Sequence, residues 1–99
     1  MVFKTRWNPT AATDEIEGII KRQGPRNINH QVDVDPDGRG GYTIYATSTK
    51  GQYHNTGVHV HIRPGEQGRG SIVTVEADYK SSGDEARGVE ERIKEEYFK

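Results

Sequence analysis

The chain contains no cysteine. A disulfide framework, a thiolate zinc site and a cysteine nucleophile are therefore excluded. No apolar run approaches the roughly 20 residues that a membrane-spanning helix needs. The opening MVFKTRWNPT also lacks a signal-peptide core, so a cytoplasmic protein without membrane association is expected. Neither sign of charge dominates: 14 basic and 15 acidic side chains leave a net charge of -1, unlike a nucleic-acid coat or a polybasic membrane binder. Apolar residues are scarce too, at 30% of 99 residues, enough for one modest core. A single domain over residues 1–99 is expected, short enough of buried surface that a partner or a second copy would add stability.

What is present is patterned. Val2 to Trp7 alternates weakly as a first strand, broken by Asn8, Pro9 and Thr10. Ala12, Ile16, Ile19 and Ile20 recur at helical spacing within a helix over Ala11 to Gln23, which Gly24-Pro25 ends. Four strands follow. Ile28 to Val34 alternates, with Ile28, His30, Val32 and Val34 on one side, and leads into the turn signal Asp35-Pro36-Asp37-Gly38. Tyr42 to Thr49, Val58 to Arg63 and Ser71 to Tyr79 complete the set, the last two joined by a glycine-rich loop over Pro64 to Gly70. The closing helix carries Ala86, Val89, Ile93 and Tyr97 on one stripe, Ser82 and Glu85 at capping-box spacing, and the spaced pairs Glu90/Lys94 and Arg92/Glu96.

The order β-α-β-β-β-β-α predicts an α+β fold: an antiparallel meander sheet of four or five strands, packed on one face by two helices. Setting Ile62 opposite Val73 also sets Val60 opposite Val75 and Val58 opposite Ala77, making one face wholly apolar. The same register sets His59 opposite Glu76 and His61 opposite Thr74. Ile44 opposite Val60 then keeps Tyr42 and Ala46 on the core side. Thr43, Tyr45, Thr47, His59, His61, Arg63, Thr74, Glu76 and Asp78 fall on the outer face.

That face and its rim hold the candidate chemistry. His59 and His61 stand about 7 Å apart along a strand, a spacing suited to two imidazoles on one metal, with Glu76 as a possible oxygen ligand. His-x-His on a strand without a third ligand fixed in sequence is a weak signal, so ordinary surface histidines are expected, with no metal and no cofactor. Asp33, Asp35, Asp37 and Gly38 imitate the start of a calcium loop, but Ile44 stands where a bidentate glutamate belongs. The segment reads as a turn. Two Gly-Arg-Gly tips, with Arg39 and Arg69, should share one end of the meander with Arg63, where guanidinium forks can hold a small anion. There is no GKS/T sequence, so this is no P-loop.

No serine–histidine–acid constellation is indicated, although His59 with Glu76 has the makings of a base and its orienter. Tyr45, His59 and His61 offer stacking surface to bases, but Glu76 and Asp78 repel a phosphate backbone. The α-β-β-β-α order of double-stranded-RNA modules is contained in this one, yet the final helix is acidic. The expected function is a small non-enzymatic interaction or regulatory domain that binds protein through the sheet edge or the Arg-Gly tips, with a homodimer as one form. The alternatives are a small-ligand-binding protein or compact enzyme using Tyr45, His59, His61 and Glu76, and a nucleic-acid-binding module.

Overall fold

A computed structural model of the chain describes residues 2–23, 28, 31–47, 57–78 and 82–97. The elements run β1 (Val2–Thr5), α1 (Pro9–Gln23), β2 (Gln31–Pro36), β3 (Tyr42–Thr47), β4 (Gly57–Pro64), β5 (Ser71–Ala77) and α2 (Gly83–Tyr97). The strands form one five-stranded sheet in the order β1-β5-β4-β3-β2, each neighbour antiparallel. Helix α1 carries the chain from the β1 edge to the β2 edge and packs over β2, β3 and β4, while α2 packs over β5 and β4. This is the α+β architecture expected from the element order.

The pairing agrees residue for residue with the pattern of alternation. Ile62 faces Val73, Val60 faces Val75, Val58 faces Ala77 and Ile44 faces Val60. Except for Ala77, which is exposed at the end of β5, those residues join Ala12, Ile16, Ile19, Ile20, Ile28, Ala46, Ala86, Val89 and Ile93 in one buried cluster. Val32 and Val34, which alternation sets on one side of their strand, only pack against it half-buried, because β2 is an edge strand with no neighbour on one side among the described residues.

Element ends depart from expectation for local reasons. Helix α1 begins at Pro9 rather than Ala11. Asn8 caps it, its Oδ1 accepting the Ala11 N–H at 2.8 Å, and Pro9 takes the first helical position, where a missing N–H costs nothing. Strand β2 starts at Gln31 and runs through Pro36, three residues later than the alternation starts. Ile28 is buried outside the strand, and His30 lies outside the described residues. The expected turn therefore shifts to Asp37–Gly41, where the Asp37 N–H donates to the Gly41 carbonyl at 3.0 Å. Strand β5 ends at Ala77, short of the expected Tyr79, which with Thr49 and His54 lies outside the described residues.

At the closing helix the Ser82 hydroxyl accepts the Gly57 N–H at 2.8 Å, tying the start of α2 to the start of β4. Lys94 pairs with Glu90 at 2.7 Å as the spacing implies, whereas Arg92 reaches Glu95 at 3.3 Å. Tyr97 meets Trp7 edge-to-face with centroids 5.1 Å apart, and its hydroxyl accepts from the Arg6 backbone N–H at 2.9 Å. The end of α2 is thus clamped against the exit of β1. No helix among the described residues is long and apolar enough to cross a membrane.

Two substitutions test the assigned faces. Val60→Ala or Val75→Ala should each cost roughly 1–3 kcal/mol in chemical denaturation, from lost burial and a residual cavity; no loss at either would show that the faces are wrongly assigned. Gly70 has φ +64, and a Cβ there would run into the Thr5 carbonyl oxygen, where β1 joins β5. Gly38 has φ +79 and open space around it. Gly70→Ala should therefore destabilise more than Gly38→Ala, which carries only the left-handed strain of about 1–3 kcal/mol.

Candidate functional site

Period-two alternation that buries Val58, Val60 and Ile62 must turn His59 and His61 to the opposite face, which neither helix covers. On that face the register builds rows across the strands. Asp33, Tyr45, His59 and Glu76 form one row, and Asp35, Thr43, His61 and Thr74 form the next. The sequence-predicted residues Tyr45, His59, His61 and Glu76 are thus brought together. Tyr45 is 42% exposed and its ring lies 6.2 Å from that of His59. The two imidazoles meet edge-to-face with centroids 4.7 Å apart.

Glu76 sits between the histidines. Its Oε2 is 2.8 Å from His59 Nε2 and 3.9 Å from His61 Nε2. Asp78, one residue past the end of β5, forms a hydrogen bond with His59 Nδ1. Thr43 hydrogen-bonds His61 Nδ1 at 3.1 Å. Alternation places Asp78 and Thr43 on this face, but spacing alone does not show them as partners of the histidines. Side-chain reach decides them: Asp78 is diagonal to His59 rather than opposite it. Thr43 is only 9% exposed despite its outward position.

His59 therefore has a carboxylate on each ring nitrogen. A carboxylate accepts, so holding both requires an N–H on both nitrogens, which is the imidazolium. Burial is the largest single influence on His59 and pulls its pKa down. The hydrogen bonds from Asp78 and Glu76, reinforced by their charges, outweigh it and leave the pKa above the usual value of about 6.5.

The Arg-Gly tips lie at one end of the sheet as the meander requires: a Cβ on Gly40 would touch the Pro64 ring at 3.4 Å. Arg39 and Arg69 stand in the two turns, and Arg63 on the outer face near the end of β4. Several of the backbone donors in these turns are already engaged. Asp37 Oδ1 accepts the N–H groups of Arg39 at 2.7 Å and Gly41 at 3.0 Å, and these bonds, the Arg39 one first, hold the Asp37 carboxyl below its usual pKa. In the other turn Gly65, Gly68 and Arg69 donate to Gly70, Gly65 and Glu66 carbonyls. Asp33 and Asp35 lie along β2 while Asp37 closes the turn, so the three do not converge as a calcium loop does.

No pocket opens among the described residues. No family model, curated protein or solved structure matches the chain.

The pH dependence follows from the raised His59 pKa. The folded protein holds that proton more tightly than the unfolded chain, so its stabilisation is fully present below the unfolded pKa and lost as pH rises through the folded one. Urea denaturation in the presence of a chelator, from about pH 6 to about pH 9, should show the native protein losing stability relative to His59→Gln across this window. Parallel curves for the two proteins would contradict the pairing of His59 with Asp78 and Glu76.

Proposed function

We propose that this chain is a small non-enzymatic protein-interaction domain whose edge strand β2 accepts an extended basic segment of another protein by strand addition. The observation that carries the reading is that, among the described residues, β2 ends the sheet with Asp33 and Asp35 exposed at alternate positions. An added strand that places lysine or arginine at alternate positions meets both carboxylates and forms the missing row of backbone hydrogen bonds. Its intervening apolar side chains extend the cover over Val32 and Val34, which are half-buried against the core. A cytoplasmic setting belongs to the same proposal.

The other edge is less suited. Strand β1 is only 4 residues long, and its outward Lys4 lies 3.8 Å from Glu66 in the neighbouring turn; short, charged strands are a common way to blunt a sheet edge. Pairing of β2 with a second copy is disfavoured by charge. An antiparallel dimer centred on Asp33, Val34 or Asp35 sets an aspartate directly opposite an aspartate. A hetero-partner is therefore preferred to the homodimer. A small anion at Arg39, Arg63 and Arg69 finds the amides of Arg39, Gly41, Gly65, Gly68 and Arg69 occupied, and a substrate on the outer face finds no enclosing pocket among the described residues.

A capped peptide alternating lysine and valine is the probe. Titrated into isotopically labelled protein, it should shift amide resonances of β2 and β3, bind more weakly as salt is raised, and lose several-fold in affinity to Asp33→Asn/Asp35→Asn. A glutamate–valine peptide should not bind. Shifts confined to the Arg-Gly turns or the outer face, or equal affinity for the double variant, would rule out strand addition at β2. Sedimentation of the free chain in the micromolar range should give a monomer mass; a dimer would restore self-association as the alternative.

A further inference from the structure

We propose that His59, His61 and Glu76 form a binding site for a zinc-class divalent metal ion on the open face of the sheet, with Asp78 and Thr43 holding the two imidazoles in ligating position. The three side chains each offer a ligand atom, and those atoms lie within 4.8 Å of one another. No other group of three or more such side chains is gathered among the described residues. Around a tetrahedral ion with bonds of about 2.0–2.1 Å, ligand atoms stand about 3.3 Å apart. The contacts of Glu76 Oε2 to the two Nε2 atoms, 2.8 Å and 3.9 Å, bracket that spacing. Small rotations of two rings and one carboxylate bring the set to it, without any change in the strands.

Proximity of three such groups on a sheet arises easily by chance; what separates this cluster from chance is the support behind each histidine. Ligating imidazoles generally donate their second N–H to a carboxylate, carbonyl or water, which fixes the tautomer and the ring plane. Here Asp78 holds His59 at Nδ1, and Thr43 holds His61 at Nδ1, so both Nε2 atoms are turned toward Glu76. A cation seated there replaces the proton that His59 shares with Glu76, and the carboxylate stays as a ligand. Two neutral nitrogens and one oxygen favour zinc and its borderline neighbours over calcium or magnesium, which prefer oxygen alone. The side chains of His61 and Glu76 are 46% and 52% exposed, so the ion is reached from solvent and its remaining position faces outward. The core lies on the opposite face, so the metal is an addition to a folded chain rather than a condition of folding. This inference does not rest on strand addition at β2.

The test is calorimetric titration of the whole metal-free chain with zinc chloride, alongside calcium and magnesium chlorides. The expected result is one zinc per chain and no saturable binding of the other two. Cobalt(II), used as a coloured substitute, should give the intense visible bands of a four-coordinate site. His61→Asn and Glu76→Gln, at exposed positions that leave the fold intact by circular dichroism, should each weaken zinc by at least about 10-fold. Asp78→Asn and Thr43→Val should weaken it by about 10-fold or more while retaining one ion per chain. His30→Gln/His54→Gln should bind as the native chain does, and removal of metal by EDTA should leave the far-ultraviolet spectrum unchanged. The proposal is overturned if zinc does not bind, if His61→Asn and Glu76→Gln bind it as tightly as the native chain, or if binding disappears in His30→Gln/His54→Gln.

Discussion

The structure depends on one constraint: the period-two alternation of β4, the central strand of five. Val58, Val60 and Ile62 point to the helices, and each is met by an apolar residue on both neighbouring strands. A slip of one residue in either hairpin would bury a histidine or threonine and expose a valine. The scarcity of apolar residues sharpens the constraint, since there is no second apolar face on which another register could settle.

The polar face is the counterpart of that core. Because Val58, Val60 and Ile62 must point inward, His59 and His61 must point outward, and the alternation of β5 brings Glu76 to the same side, with Asp78 just past the strand end reaching His59. The cluster is therefore fixed by backbone pairing, and its side chains gather without help from a loop. The same sheet leaves β2 at its margin, where half-buried valines and exposed aspartates alternate. The two features sit on one scaffold but rest on different physics, strand-edge hydrogen bonding with charge in one case and ligand donor geometry in the other.

The fold was largely legible because hydrophobic alternation and turn residues both point to the same hairpins. The pairing of Val60 with Val75 and of His59 with Glu76 could be read from spacing alone. Less legible were features decided by a single side chain or by chain ends. Asn8 and Pro9 look like a break in sequence, yet they start α1. Ile28 continues the alternation of β2 but packs into the core from outside the strand. At the site, Tyr45, His59, His61 and Glu76 were identifiable, whereas the support from Asp78 and Thr43 depends on diagonal reach and burial that a row-by-row register does not show. The Arg-Gly tips have the composition of an anion site, but Asp37 and the neighbouring turn carbonyls occupy several of the backbone donors.

The most direct test of the account is the strand register in solution, read from cross-strand nuclear Overhauser contacts between backbone protons. The account predicts contacts that link Ile44 with Val60 and Val60 with Val75, together with Tyr45 to His59 and His59 to Glu76. A network displaced by one residue in either hairpin, with Ile44 paired to His59 or Val75 paired to His61, would contradict it.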